Sequence, residues 1–250
     1  VLVTYDEETG MTGAECLKPG VLQGDILLNL DSETEGELYI GCAGGLDGTA
    51  DFKYDAVAAP EGWQSWKLTV KGLSGGHSGM DIILYRANAN RAAARIVLPL
   101  IEKYGVKIAD FKGGSLRNAI PFEAEVTMLV NPETLASVKA DIDKAFGEIK
   151  AEFAETDPAA ICLFEALEVP VTEYIEDGVA LRAVKSVLAC PNGVERMSAS
   201  VEGLTETSNN LAVIRTENGH LVIRCLMRSS ADSAKEALAR RTRAVFQLAG

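Results

Sequence analysis

Two apolar runs near the end of the chain, joined by a four-residue connection, constrain its fold more than any other feature of the sequence. The runs cover residues 211–216 and 221–226, and the connection reads Glu217-Asn218-Gly219-His220. Asn-Gly between two apolar runs is the strongest short-range signal for a β-hairpin, because both residues readily adopt the positive φ angles of a tight turn. The sequence therefore predicts an antiparallel sheet in this region.

The preceding residues, from about 60 onwards, alternate between strand and helix patterns. Apolar residues recur at every second position in 66–70 and 124–130, which indicates strands. Apolar residues at helical spacing predict helices over 87–103, 131–153, 177–188 and 230–248, with Pro99 implying a kink or an earlier end of the first. This order predicts an α+β domain, an antiparallel sheet with helices on one face, over residues 46–250.

Residues 1–45 have a different pattern. Short apolar runs at 1–4, 26–30 and 38–40 predict strands, and 26–30 is apolar enough for a strand covered on both faces. This predicts an α/β fragment, the edge of a parallel sheet whose other strands lie outside this chain. The glycine-rich run 41–48 is interpreted as a hinge or a close-packed crossing, because it lacks the Lys-Ser/Thr of a phosphate-binding loop.

Charge and composition exclude several classes of partner. The 250 residues include 24 Lys and Arg against 36 Asp and Glu, a net charge of −12, so we expect neither nucleic acid nor an anionic membrane as a partner. The apolar run 96–101 is too short to cross a bilayer. The five cysteines are widely spaced, so we expect buried, reduced thiols rather than disulfides.

An acidic run, Asp6-Glu7-Glu8, follows the first predicted strand. Carboxylates that leave the end of a buried strand suit a hydrolytic metal site, where one holds the ion and its neighbour takes a proton from water. Asp31 ends the second predicted strand, so Glu8 and Asp31 share a rim of the sheet if the two strands are parallel neighbours. Both are oxygen donors suited to zinc or manganese. The alternative is a solvated acidic turn.

Three residues of the second part are candidates for substrate contacts. His77 lies among glycines in Gly75-Gly76-His77-Ser78-Gly79, which leaves room for a ligand, and its ring N–H could donate to an oxyanion. Asn118 precedes a turn and could bind a substrate carbonyl or carboxylate, or simply cap that turn. Arg228 ends a strand and could bind a carboxylate. The other histidine, His220, is interpreted as a solvent-edge residue of the hairpin.

Together and in this order, these motifs closely resemble the aminoacyl-histidine dipeptidases. These are cytosolic bacterial members of a large family of di-zinc exopeptidases with a catalytic domain and an inserted lid domain. The matching stretches are 6–14, 31–37, 41–45, 75–79, 113–121, 191–194 and 225–230. The resemblance implies a cytoplasmic hydrolase acting on small peptides, two Zn²⁺ ions per active site with Mn²⁺ or Co²⁺ possible, and a homodimer formed through the lid.

The resemblance also implies roles for the acidic residues. Glu7 corresponds to the general base, Glu8 to a ligand of one zinc, and Asp31 to a ligand of the other. Residues 1–45 then correspond to part of the catalytic domain and residues 46–250 to the lid.

Within the lid, the resemblance implies that His77 polarises the scissile carbonyl, often in the active site of the partner subunit. Asn118 and Arg228 correspond to substrate-binding residues, with Arg228 at the substrate carboxylate.

The family's remaining metal ligands fall outside this chain, before residue 1 and after residue 250. We therefore expect the intact protein to be a metallo-dipeptidase, and the 250-residue chain alone to bind zinc weakly and to lack peptidase activity. The alternative is a non-catalytic lid-type dimerisation module whose acidic prefix is residual.

Overall fold

The chain is described by a computed structural model over residues 1–7, 11–30, 35–36, 38 and 42–250. It forms two compact units, Val1–Cys42 and Ala43–Gly250. Within the described ranges, no helix is both long and apolar enough to span a membrane.

The first unit contains one short helix, α1 (Thr12–Glu15), and no strand among its described residues. The strands predicted at 1–4 and 26–30 are therefore wrong, and two residues of the third, Tyr39 and Ile40, lie outside the described ranges. The apolar side chains at 26, 27, 28 and 30 are 77–90% exposed. A strand needs a neighbour to accept and donate its backbone hydrogen bonds, and the described residues of this unit supply none. The α/β assignment of the first part is thus not confirmed.

The second unit, which is described throughout, consists of ten strands and four helices. In chain order they are β1 (Gly44–Lys53), β2 (Ala56–Ala58), β3 (Gln64–Lys71), α2 (Ala89–Tyr104), β4 (Lys107–Gly113), β5 (Ala124–Val130), α3 (Leu135–Glu152), β6 (Ile161–Ala166), β7 (Glu173–Ile175), α4 (Asp177–Ala189), β8 (Gly193–Met197), β9 (Thr205–Glu217), β10 (His220–Ser229) and α5 (Asp232–Leu248). Short 3₁₀ turns lie at Asp81–Leu84, between β3 and α2, and at Pro132–Thr134, between β5 and α3.

Eight of these strands form one antiparallel sheet in the order β1-β10-β9-β4-β5-β3-β6, with β8 also paired to β9. β2 and β7 form a separate pair. The predicted hairpin is confirmed: β9 and β10 are joined through Asn218 and Gly219, whose φ angles are 52° and 78°. The predicted antiparallel sheet with helices is therefore correct for the second unit.

The helices begin and end close to their predicted limits. In α2, the side chain of Asn88 accepts a hydrogen bond from the backbone N–H of Arg91 and caps the first turn. The helix does not end at Pro99 but continues to Tyr104, where Gly105 terminates it with a φ angle of 66°. Of the two alternatives for Pro99, a kink or an earlier end of the helix, the earlier end does not occur.

The core lies between the sheet and the helices. One continuous cluster of buried side chains joins the sheet to α2, α3 and α4. On β10, Met227 packs against Leu238 and Ala239 of α5. The opposite side of this part of the sheet, which we call the open face, carries Asp47, Thr49 and Asp51 of β1, all exposed.

Part of the glycine-rich run belongs to the sheet. Gly44 and Gly48 belong to edge strand β1, and a Cβ on Gly48 would lie 3.0 Å from Cε of Met227. The small residues therefore allow β1 to lie close to its neighbours, which agrees with the alternative interpretation of a close-packed segment.

Candidate functional site

The acidic residues predicted as metal ligands lie largely outside the described ranges. Glu8 and Asp31 belong to the undescribed residues, whereas Glu7 is described and exposed in the first unit. The carboxylate of Asp6, next to Glu7, accepts a hydrogen bond from the Thr12 hydroxyl at 2.6 Å. Among the described residues, no three metal-binding side chains converge. The described residues therefore do not form a metal site by themselves.

The loops that carry His77 and Asn118 are joined through their backbones. His77 forms an antiparallel bridge with Ala119, and the Ser78 N–H donates to the Asn118 carbonyl at 2.7 Å. The Ile120 N–H donates to the carbonyl of Gly76 at 2.8 Å. Two candidate residues that are far apart in sequence are thus held in adjacent loops.

The glycines around His77 are required mainly by packing. Gly76 has a φ angle of 123°, and a Cβ there would lie 2.4 Å from Oδ2 of Asp81. That same carboxylate oxygen accepts the backbone N–H of His77 at 2.8 Å and lies 3.7 Å from the Arg86 guanidinium. A side chain at Gly76 would displace the carboxylate that fixes the His77 backbone.

Gly79 brings His77 together with Arg228. A Cβ on Gly79 would lie 3.0 Å from Cε1 of His77 and 3.4 Å from Cζ of Arg228. The imidazole and the guanidinium therefore border the same small residue. The absence of a side chain at Gly79 therefore allows both groups to approach this position closely.

Arg228 lies on β10 in an environment that disfavours its charge. Burial lowers the pKa of its guanidinium, the nearby charge of Arg117 lowers it further, and Asp47 partly offsets both effects. Its Nε is buried without a hydrogen-bond acceptor, and its guanidinium forms no ion pair in the described part of the chain. A cation in this state is suited to receive an anion.

Asn210 holds the loop that carries Asn118, and the sequence does not identify it. Its side-chain amide donates to the carbonyls of Arg117 at 3.1 Å and Ala119 at 2.7 Å. It belongs to four consecutive buried polar residues of β9, residues 207–210. A polar run of this kind looks like a loop in sequence, because only the tertiary structure supplies its hydrogen-bond partners.

Asp157 connects the two ends of the segment 74–87, which carries His77. Its carboxylate is buried and accepts the backbone N–H groups of Ser74 at 2.7 Å and Ala87 at 2.8 Å, and the hydroxyl of Thr156 at 2.8 Å. One side chain therefore satisfies backbone donors at both ends of the segment.

His220 lies at the beginning of β10, next to the hairpin turn, as its sequence context indicates. Its Nδ1 lies 2.8 Å from Oδ1 of Asp51, and both side chains are substantially exposed. It thus provides an internal comparison for His77, since these are the two histidines of the sequence.

Comparisons with known proteins support the resemblance inferred from the motifs. Residues 68–157 match the family described as a peptidase dimerisation domain. The chain is 39% identical over 256 residues to the cytosol non-specific dipeptidase of Escherichia coli strain K12, covering 100% of this chain and 51% of that protein.

A solved structure is similar to this chain in both sequence and fold. The aminoacylhistidine dipeptidase of Vibrio alginolyticus is 41% identical, with a TM-score of 0.86 over 99% of this chain and 50% of that chain. This chain therefore spans about half the length of both relatives. The resemblance to the aminoacyl-histidine dipeptidases that the sequence predicts is confirmed.

Proposed function

We propose that the intact protein containing this chain is a metal-dependent dipeptidase that hydrolyses small, unblocked Xaa-His dipeptides. The observation that carries the proposal is the convergence of His77, Asn118 and Arg228 on adjacent loops and a strand end of one unit. The two relatives, named as dipeptidases, support the reaction class.

In this proposal the second unit is the lid and contributes three groups to the substrate. The His77 ring N–H donates to the carbonyl oxygen of the scissile bond, where negative charge develops during attack. The Arg228 guanidinium binds the terminal carboxylate of the substrate, and its burial strengthens that interaction. Asn118 supplies an amide to the substrate backbone. Together these groups place the scissile bond and favour a substrate with a free carboxylate.

The proposed catalytic part includes the first 45 residues and groups from outside this chain. Glu7 is the proposed general base, and Glu8 and Asp31 are the proposed ligands of two Zn²⁺ ions, with Mn²⁺ or Co²⁺ as alternatives. When bound, such ions polarise a carbonyl and lower the pKa of a bound water. The ligand assignments depend on the family resemblance, since the described residues do not form the site.

The proposal also includes a cytoplasmic homodimer that associates through the second unit. It is supported by the peptidase dimerisation domain at residues 68–157 and by the name of the cytosolic relative.

The test uses the intact protein and a β-alanyl-histidine substrate. We expect hydrolysis that is lost after treatment with a chelator and restored by Zn²⁺, and a loss of about 10²-fold or more in kcat for Glu7→Gln. Glu15→Gln, another exposed carboxylate of the first unit, serves as the matched control and retains the wild-type rate.

Two outcomes would contradict the proposal. An intact, metal-loaded protein that hydrolyses no dipeptide would favour the alternative, a non-catalytic dimerisation module. A Glu7→Gln variant with the full rate would remove Glu7 from the mechanism while leaving the rest intact.

A further inference from the structure

Arg117 spans three strands on the open face of the sheet. Asn210 of β9 lies directly opposite Leu226 of β10, which in turn lies opposite Asp47 of β1. The backbone of Arg117 is held by Asn210 at one end of this row. Its guanidinium reaches Asp47 at the other end, with Nη1 at 3.0 Å and 3.3 Å from the two carboxylate oxygens. The Arg117 side chain therefore extends from β9 to β1 across Leu226.

Arg228 lies in the next row of the same face. It faces Ser208 of β9 on one side and Gly45 of β1 on the other. Asp47 and Arg228 are therefore diagonal neighbours, with side-chain origins about 7–8 Å apart in an antiparallel sheet. Gly45 presents no side chain opposite Arg228, and a Cβ there would lie 3.6 Å from Cδ1 of Leu226.

The charges of the patch formed by Arg117, Arg228 and Asp47 do not balance. It contains two guanidinium groups and one carboxylate, within a chain whose overall charge is −12. Asp47 occupies Nη1 of Arg117, and the Nη2 group makes no hydrogen bond to any residue that the structure describes. Arg228 has no ion-pair partner among those residues either, and Arg117 is close enough to lower its pKa. Two neighbouring cations with unused donors form a site for one anion.

We infer that Arg117 is a second cation of the carboxylate-binding site and acts together with Arg228. This inference rests on the proposed function: the anion is the terminal carboxylate of the dipeptide. Arg228 supplies the buried contact, and Arg117 supplies a second from the loop that also carries Asn118. Asp47 restrains Arg117 across the row and leaves its remaining donors for the ligand. Arg117 is therefore a specificity-determining residue that favours free carboxylates over blocked C-termini.

The test compares a dipeptide with its C-terminal amide as substrates of the intact, metal-loaded protein. For Arg117→Gln we expect KM for the dipeptide to rise about tenfold, the effect of one lost charge-assisted hydrogen bond. The kcat value stays within about twofold, and KM for the amide does not change. Arg117→Lys, which keeps the charge but not the planar fork, gives an intermediate KM.

Arg196→Gln is the matched control, because Arg196 forms an exposed ion pair with Glu206 away from this row. It should leave both KM values unchanged. If Arg117→Gln raises KM equally for the dipeptide and the amide, or raises neither value, the inference about Arg117 is wrong. The proposed function would not be affected by that result. A wild-type protein that hydrolyses neither substrate would overturn the proposed function and this inference with it.

Discussion

The side-chain amide of Asn210 donates to the carbonyl of Ala119 at 2.7 Å, which ties the central strand β9 to the loop that carries Asn118. The same amide reaches the carbonyl of Arg117 at 3.1 Å. One buried side chain thus fixes the backbone on both sides of a proposed substrate-binding residue. Because β9 pairs with β10, the same contact sets the loop relative to Arg228.

Replacing Asn210 by Leu should release this loop. We expect the free energy of unfolding to fall by about 1–3 kcal/mol, because two backbone carbonyls lose their donor. We also expect kcat/KM of the intact protein to fall about tenfold or more, because Asn118 and Arg117 lose their position. Asn209→Leu is the control: Asn209 is equally buried and donates to the carbonyl of Pro191 at 2.6 Å. The Asn209→Leu variant should lose a similar amount of free energy of unfolding and keep kcat/KM within about threefold of the wild type. If both variants lose kcat/KM equally, Asn210 does not have this role.

Asp157→Ala should destabilise the segment that carries His77. The backbone N–H groups of Ser74 and Ala87 would lose their charged acceptor, which costs about 3 kcal/mol in total. Urea unfolding of the 250-residue chain measures the change. The exposed neighbour Glu155 provides the control, since Glu155→Ala should change the free energy of unfolding by less than about 0.5 kcal/mol. Similar changes in the free energy of unfolding for both variants would show that Asp157 does not stabilise this segment.

The Glu195–Arg241 pair should contribute a small, pH-dependent stabilisation. Hydrogen bonds from Arg241 lower the pKa of the Glu195 carboxyl, although partial burial opposes the shift. Because the pKa is lower in the folded state, the stabilisation is present above the unfolded pKa of about 4.3 and is lost as the pH falls through the folded value.

Both side chains are partly exposed, so Glu195→Gln should lower the free energy of unfolding by only about 0.5 kcal/mol at pH 7. At pH 3 the difference from the wild type should shrink. Glu236→Gln, which removes an exposed and unpaired carboxylate from α5, should show no such pH dependence. A difference that grows on acidification would contradict the sign of this linkage.

The cysteines should fall into two reactivity classes in the 250-residue chain. Cys16 and Cys42 are exposed, which corrects the expectation that all five thiols are buried, and the structure has all five in the reduced form. Burial raises the pKa of Cys162 to about 12. The thiols of Cys190 and Cys225 are buried side by side, with their sulfurs 3.8 Å apart.

Because the thiolate is the reactive form, alkylation at pH 8 should modify Cys16 and Cys42 within minutes. The other three should react only after unfolding, as peptide mapping by mass spectrometry would show. Rapid native labelling of Cys162 would contradict its burial.

Local patterns were sufficient to predict much of the second unit. The Asn218-Gly219 turn and the flanking apolar runs predict β9 and β10, because hairpin geometry depends on the residues of the turn itself. Helical spacing likewise predicts α2 to α5. The antiparallel sheet with helices follows from these elements, and the glycines around His77 indicate that this residue lies in a loop.

Features that depend on distant contacts were not predicted. Residues 26–30 look like a buried strand, but strand formation requires a neighbour that the described part of the first unit does not provide. Asn210 and Asp157 act through hydrogen bonds to residues 70–93 positions away, which no local pattern reveals. Arg117 gains its position from pairing across three strands, whereas its sequence context suggests only a turn.

The most direct test of the account compares the two histidines of the chain in the intact, metal-loaded protein. Steady-state hydrolysis of a β-alanyl-histidine substrate should show kcat lowered about 10²–10³-fold by His77→Ala, the effect of removing one donor to a developing oxyanion. His220→Ala, at the exposed hairpin end, should remain within about twofold of the wild type. If both variants retain the wild-type kcat, His77 does not act on the substrate, and the central claim is wrong.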